Sequence, residues 1–550
     1  MRFSITGQFV DIRRREIYPA CVEVRDGVIY SVERVESVEK DHFILPGFVD
    51  AHVHVESSML VPSQFARLAV VHGTVGTVSD PHEIANVCGM EGVDFMINNG
   101  QTVPFKFCFG APSCVPATTF ETSGAELRST DVEVLLARPE VAYLTEVMNF
   151  PGVLNGDVEL LKKIAAAKRY GKPVDGHAPG LTGEAVKRYI EAGISTDHEC
   201  FTAAEALDKL KYGMKVQIRE GSAARNFDAL VHLINEHYEN MMFCSDDKHP
   251  DNLVQGHINQ LCARAVAAGA DVFKVLQMAC VNPVEHYGLQ VGVLQQGDPA
   301  DFIVAEDLHS FNVLRTYIDG ELVAEGGRSL ISLQEERLEP VNRFNCRPRT
   351  AVDFVVQASA FPAQEGMIPV IALTDGQLVT DKRWETPRLE EGIIACDVPR
   401  DILKIAVINR YHDAPVACAF ITNFGLKRGA LASSIAHDSH NIIAVGANDD
   451  DLCRAVNLVI ESKGGVSLVD GAEERLLALP VAGLMSNQDG YEVARKYSEL
   501  DAGARALGST LASPYMSLSF MALLVIPELK LSDKGLFDGG RFAFLQADRG

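Results

Sequence analysis

Apolar and polar residues alternate in two short stretches that bracket the first three-fifths of the chain. CVEVRDGVIYSVE alternates about Asp26-Gly27, and TYIDGELVAEGG does so about Asp319-Gly320. Period-two alternation gives a strand one buried face, and Asp-Gly between two such runs is the sequence of a two-residue hairpin turn. GDPADFIVAE, just ahead of the second stretch, reads as a further strand. Between them the pattern changes. From about residue 45 to 285, short β-like runs alternate with helical stretches. The runs are HFILPGFVD, GTVGTVSD, FKFCFGAP, VAYLTEVMNF, KPVDGHAP, GISTDHE, MKVQIRE and MMFCSDD. GDVELLKKIAAAKRYG and TGEAVKRYIEAG, apolar at i, i+3 and i+4 and closed by Gly, are two of the helices. Eight such units predict an α/β fold, a (β/α)8 barrel of the TIM type.

The pattern changes again near residue 345. KIAVINRY, ACAFITNF, IIAVGA and GVSLVDG read as strands, and DDLCRAVNLVIESKGG and YEVARKYSEL as helices. This predicts three units. Residues 1–44 and 287–340 form a small β-sandwich, 45–286 the barrel, and 345–550 a C-terminal α/β (α+β) domain, joined by RLEPVNRFNCRPRT. The run Asn448-Asp449-Asp450-Asp451 ahead of a helical segment is expected to cap that helix rather than bind calcium.

Charge and cysteine usage exclude several classes. Fifty basic against 74 acidic residues, a net of −24, argue against a nucleic-acid or anionic-membrane partner, since both need a basic face. Twelve cysteines are scattered without a C-x-x-C pair, the first residues lack the apolar core of a signal peptide, and no run of about 18 apolar residues is present. A reducing, cytoplasmic location is the expectation.

In a barrel of this kind, residues that close the strands converge at the carboxyl-terminal mouth. The first run closes on His52 and His54, which share a face because they are two apart. The fourth carries Glu146, the fifth ends in His177, the sixth in His198 and the eighth in Asp246-Asp247. Four histidines and two carboxylates are transition-metal ligands in kind. Six exceed what one ion needs with positions left open, so two divalent ions bridged by a carboxylate are expected. His54-Val55-Glu56 also fits half of the H-x-E…P-C-x-x-C zinc deaminase motif, but the second half is absent.

PGFVDAHVH with the later strand-end His, His and Asp resembles the amidohydrolase superfamily. DPHEIANVCG (80–89), IREGSAARN (218–226), SDDKHPDNL (245–253), ASSIAHDSHNI (432–442), GLMS (483–486) and SLSFMALLVIPELKL (517–531) resemble the bacterial-type adenine deaminases within it. The resemblance covers nearly the whole chain. It implies that His52 and His54 hold the more buried ion, His177 and His198 the more exposed one, and that Glu146 bridges them. VAYLTEVMNF has no lysine to carboxylate as many relatives do. Asp246, or its neighbour Asp247, would bind metal and act as general base, Asp246 being preferred because it directly closes the apolar run. The implied ions are manganese, with iron or zinc possible, and the implied assembly is a homodimer or larger.

The implied reaction is hydrolysis of adenine to hypoxanthine and ammonia by hydroxide generated at the ions, in purine salvage or catabolism. His82 and Glu83 follow the second strand and either protonate the ring nitrogen, hold an amine or orient a ligand. Ser113, Arg219, Glu220 and Ser222 lie on loops that either read the purine edge or simply turn the chain. His437, Asp438 and His440 are a second metal site, a pocket wall or, as the preferred expectation, a polar loop. The rivals are a deaminase of another aminopurine such as an N6-substituted adenine, a cyclic-amide hydrolase of the dihydroorotase or hydantoinase sort, and a non-catalytic barrel scaffold.

Overall fold

The structure, a computed structural model, describes residues 2–332 and 339–546. The start of the predicted connector falls on residues 333–338, outside the described ones.

The eight apolar runs fold as eight parallel strands, numbered here β1–β8. They are Phe48–Val53, Thr74–Ser79, Lys106–Ala111, Val141–Val147, Val174–Gly176, Thr196–Asp197, Lys215–Arg219 and Met241–Cys244. β1–β5 form one parallel ladder and β6–β8 another. Two seams join them. At one, Ser195 N–H donates to Val174 O at 2.9 Å. At the other, Val53 bridges Asp246, and Asp246 N–H donates to His52 O at 2.9 Å. The second seam ties the residue after β8 to the end of β1, which brings Asp246 beside His52. Helices such as Val158–Arg169 and Gly183–Ala192 lie between strands, as their periodicity predicts.

The strands from both ends of the barrel segment pair in one mixed eight-stranded sheet, with Phe43–Pro46 at its centre between Arg2–Asp11 and Phe302–Ala305. Both Asp-Gly hairpins form there. Asp26 and Gly27 have φ of 48° and 81°, and Asp319 and Gly320 of 47° and 76°, the left-handed pair a type I′ turn needs. The turns touch, since a Cβ on Gly27 would sit 2.9 Å from Asp319 O. The run HFILPGFVD is therefore two strands. Pro46 ends one, and Gly47 carries the chain into the barrel so close to Val75 that a Cβ would lie 2.3 Å from Val75 Cγ1.

The C-terminal region holds a second eight-stranded sheet, ordered Thr380–Glu385, Ile368–Leu373, Ala417–Thr422, Leu403–Ile408, Ile442–Gly446, Ala430–Ser433, Gly465–Asp470 and Glu473–Ala478. Helix Asp449–Glu461 packs Leu452, Val456 and Val459 against its Ala432 and Ala444, and Asn448 caps it by accepting from Asp451 N–H. The segment 483–490 leans on the barrel. Leu60 bridges Ser486, and Gly490 N–H donates to Gln64 Oε1 at 3.0 Å. Among the described residues no helix is long and apolar enough to cross a membrane, and every cysteine is free.

Candidate metal centre

The strand ends deliver their side chains to one buried point. His52 and His54 leave β1 on the same face, with their Nε2 atoms 3.2 Å apart. Asp246 Oδ1 lies 3.5 Å from His52 Nε2 and 3.1 Å from His54 Nε2. Glu146, near the end of β4, turns Oε1 to His54 Nε2 at 3.4 Å and Oε2 to His177 Nδ1 at 2.7 Å and His198 Nε2 at 3.2 Å. One carboxylate thus faces the β1 histidines with one oxygen and the β5 and β6 histidines with the other. All six side chains are buried.

Electrostatics explains what such a cluster needs. Burial favours neutral carboxyls, yet His177, His198 and His54 hold Glu146 well below the usual carboxylate range. Burial likewise opposes the Asp246 charge, and Arg219, His52 and His54 override it. Burial alone would lower His54, but Asp246 and Glu146 carry it well above the ordinary histidine value, and Glu199 and Glu146 lift His177 to about 9. The carboxylates therefore draw positive charge onto the imidazole nitrogens that face them. Divalent ions supply that charge while leaving each imidazole neutral. The facing atoms fit this. His52 Nε2, His54 Nε2 and Asp246 Oδ1 converge, and two neutral imidazoles can exchange only one N–H between them. His52, Glu146 and His198 likewise bring one ligand atom each to within 4.8 Å of one another, as do His177, His198 and Glu199. The buried His/Asp/Glu cluster is compatible with a divalent metal site.

The structure separates the paired aspartates. Asp246 faces the histidines, whereas Asp247 accepts a hydrogen bond from Ser57 Oγ at 2.6 Å. His82 sits with Nδ1 3.3 Å from Asp80 Oδ2 and 3.7 Å from Glu146 Oε1, and Nε2 3.6 Å from Asp438 Oδ1. Glu83 Oε1 accepts from Ser57 Oγ at 2.8 Å. Of the loop residues expected to read a substrate, Arg219 is buried between Glu199 and Asp246, 2.8 Å from Asp246 Oδ2. Ser113 donates to the backbone oxygen of Glu146, and Glu220 pairs with Arg264. Ser222 donates to Asn252 Oδ1 and accepts from His249 N–H, both at 2.8 Å.

Two features lay beyond the sequence reading. Glu199, directly after His198, lies 3.6 Å from His177 Nδ1 and 3.5 Å from His198 Nε2, and Asp80, which closes β2, holds His82. Their adjacency to HE and PHE motifs was the available signal. The polar-loop expectation for residues 437–440 is corrected. His437, Asp438 and His440 are buried against the barrel mouth, His440 fully so, because Asp438 faces His82 and His440 faces Glu83.

Comparison with known proteins agrees with this architecture. Residues 43–323 match the model of the amidohydrolase family, the class that the strand-end metal cluster defines. Residues 377–543 match the adenine deaminase C-terminal domain. An adenine deaminase of Salinibacter ruber is 55% identical over 99% of this chain and 98% of its own. Those of Sulfurovum sp. and Methanosarcina barkeri are 55% and 52% identical, over 99% and 98% of this chain and 100% and 98% of their own. The chain belongs to the adenine deaminase family.

Proposed function

We propose that this chain hydrolyses free adenine to hypoxanthine and ammonia at a binuclear metal centre. The observation that carries the reading is Glu146, one buried carboxylate whose two oxygens face two separate groups of histidines. His52 and His54 would hold one ion, His177 and His198 the other, with Glu146 between them and Asp246 on the first. The donor set suits manganese, and iron or zinc by the same chemistry. Divalent ions bound there acidify water and so supply a nucleophile at neutral pH.

The remaining work falls to the chain. Asp246, whose Oδ2 is engaged by Arg219 at 2.8 Å and whose Oδ1 faces His52 and His54, takes the proton of the attacking water and passes it to the leaving amine. As the water oxygen bonds to the ring carbon, the C=N electron pair moves to the adjacent ring nitrogen, which takes one of the water's two protons; the carbon–amine bond then breaks, the carbonyl forms, and ammonia departs with the other proton. Arg219 fixes the Asp246 carboxylate in that orientation. His82, held between Asp80 and Asp438, fits a role in orienting the centre rather than in proton transfer to the ring. Similarity along the whole chain, C-terminal domain included, favours adenine over a cyclic amide, and a complete ligand set speaks against a non-catalytic scaffold. We also propose a homo-oligomer acting in the reducing cytoplasm in purine salvage.

The test is ammonia release from adenine by the purified, manganese-loaded protein, by the chelated protein and by Asp246→Asn. Hypoxanthine formation that depends on metal and is lost in the variant supports the reading. Bound metal without turnover of adenine would discard the substrate and keep the centre.

A further inference from the structure

Beside the metal ligands, the barrel and the C-terminal domain leave one donor and one acceptor unspent. Glu83 Oε2 and His440 Nε2 are fully buried, lie 3.8 Å apart and make no hydrogen bond among the described residues. Their other atoms are engaged. Glu83 Oε1 and Asp247 Oδ1 share the single hydrogen of Ser57 Oγ, at 2.8 and 2.6 Å. His440 Nδ1 accepts from Ala436 N–H at 3.3 Å. A ring nitrogen that accepts carries no proton, so the neutral imidazole bears its proton on Nε2. Burial and the neighbouring His437 both disfavour a charged His440, which agrees. His437, Glu83 and His440 bring candidate ligand atoms within 4.8 Å of one another, but a cation would need the Nε2 lone pair that this tautomer lacks. The site therefore offers an N–H donor beside a carboxylate acceptor, the complement of a planar ring edge with adjacent ring N and N–H.

The pair adjoins the centre on both sides. Glu83 follows His82, whose ring lies 4.7 Å from that of His54, and it shares Ser57 with Asp247, the neighbour of Asp246. Adenine has three donor–acceptor edges. Two include the exocyclic amine, which must face the metal centre to react. The third is the N3/N9–H edge. Resting on the adenine reading above, we propose that Glu83 and the C-terminal domain's His440 read this edge, His440 Nε2–H donating to N3 and Glu83 Oε2 accepting from N9–H. A substituent on N9 would displace the hydrogen that Glu83 needs, so the site takes the free base and refuses nucleosides.

The experiment compares adenine, 3-deazaadenine and 9-methyladenine, as substrates and as competitive ligands, in the manganese-loaded wild type and in His440→Phe, His440→Gln and Glu83→Gln. A hydrogen bond to a buried partner is worth about tenfold or more in affinity. Wild type is expected to disfavour 3-deazaadenine by at least that factor. His440→Phe should abolish the discrimination by weakening adenine alone, and His440→Gln, which keeps an N–H, should restore part of it. Glu83→Gln should narrow the gap between adenine and 9-methyladenine. Equal losses for adenine and 3-deazaadenine in His440→Phe would overturn the proposal, because a merely structural histidine affects both alike. If wild type binds adenine but releases no ammonia, the deaminase reading fails, and the binding ratios still decide whether this edge is read.

Discussion

Arg219→Met tests how the centre holds its charges. Arg219 is buried, with its guanidinium against both Glu199 oxygens and 2.8 Å from Asp246 Oδ2. Two buried carboxylates thus share one cation. Removing one partner of a buried ion pair costs about 3–5 kcal/mol, since the charge left behind has lost its water as well. A Coulomb estimate agrees, since unit charges about 4 Å apart at an effective dielectric of 20 interact by about 4 kcal/mol. Bound divalent ions share the burden, so the loss should be larger in chelated protein than in metal-loaded protein. Urea unfolding followed by circular dichroism, with and without chelator, measures both. Kinetics give a second readout. Arg219 is the strongest of the neighbours that hold the Asp246 carboxyl down. In Arg219→Met that carboxyl titrates higher, and the acid limb of kcat/KM moves to higher pH. Arg219→Lys keeps a charge but not the two-pronged contact, and should fall between. Wild-type stability and an unmoved acid limb in Arg219→Met would refute this account of the centre.

Glu146→Gln should lower bound metal below the two ions per chain proposed above, measured by elemental analysis after dialysis, because it removes a negative charge shared by both groups of histidines. Gly47→Ala places a Cβ 2.3 Å from Val75 Cγ1, a stiff β-branched side chain, so the unfolding midpoint should fall by the equivalent of about 1–3 kcal/mol, and Val75→Ala in the same chain should recover part of it. Lys530 is fully buried, its Nζ donating to Leu378 O at 2.6 Å and Phe520 O at 3.0 Å, and burial pushes its pKa down to about 7. Below pH 7 both folded and unfolded states keep the proton, and the folded state bears the full cost of burying the charge. From about pH 7 to 10.4 only the unfolded state keeps it, so stability rises with pH by up to about 1.4 kcal/mol per unit. Subtracting the unfolding free energies of Lys530→Met from those of wild type across that window should isolate the rise, and a flat difference would show that the lysine stays charged.

What could be read from the sequence follows from how local the causes are. His52 and His54 were legible because period two on a strand is a local rule, and the strand-end rule of the barrel extends it to Glu146, His177, His198 and Asp246. The Asp-Gly hairpins were legible for the same reason. Strands β5 and β6 keep only three and two paired residues, and were recognisable by their neighbours more than by themselves. Ser113 and Ser222 show where the reasoning runs out. Ser113 Oγ donates to the backbone oxygen of Glu146 on the neighbouring strand and Ser222 Oγ to the side-chain amide of Asn252, partners distant in sequence that no local pattern announces.

The C-terminal contribution had no local cause at all. His437, Asp438 and His440 come from a different domain, follow no strand of the barrel, and in isolation read as solvated polar residues. Their burial is set by a surface that another part of the chain supplies, through His82 and Glu83. The same pairing gives the second domain a chemical reason to exist. The barrel alone can present metal ligands and a base, which act on the reacting carbon of many cyclic substrates. Its Glu83 supplies the acceptor for the far edge of a ring held at those ligands, but the donor beside it, His440, comes from the second domain. A buried donor beside a buried acceptor is worth keeping only if a ligand completes both, since left unpaired each costs about 1–3 kcal/mol.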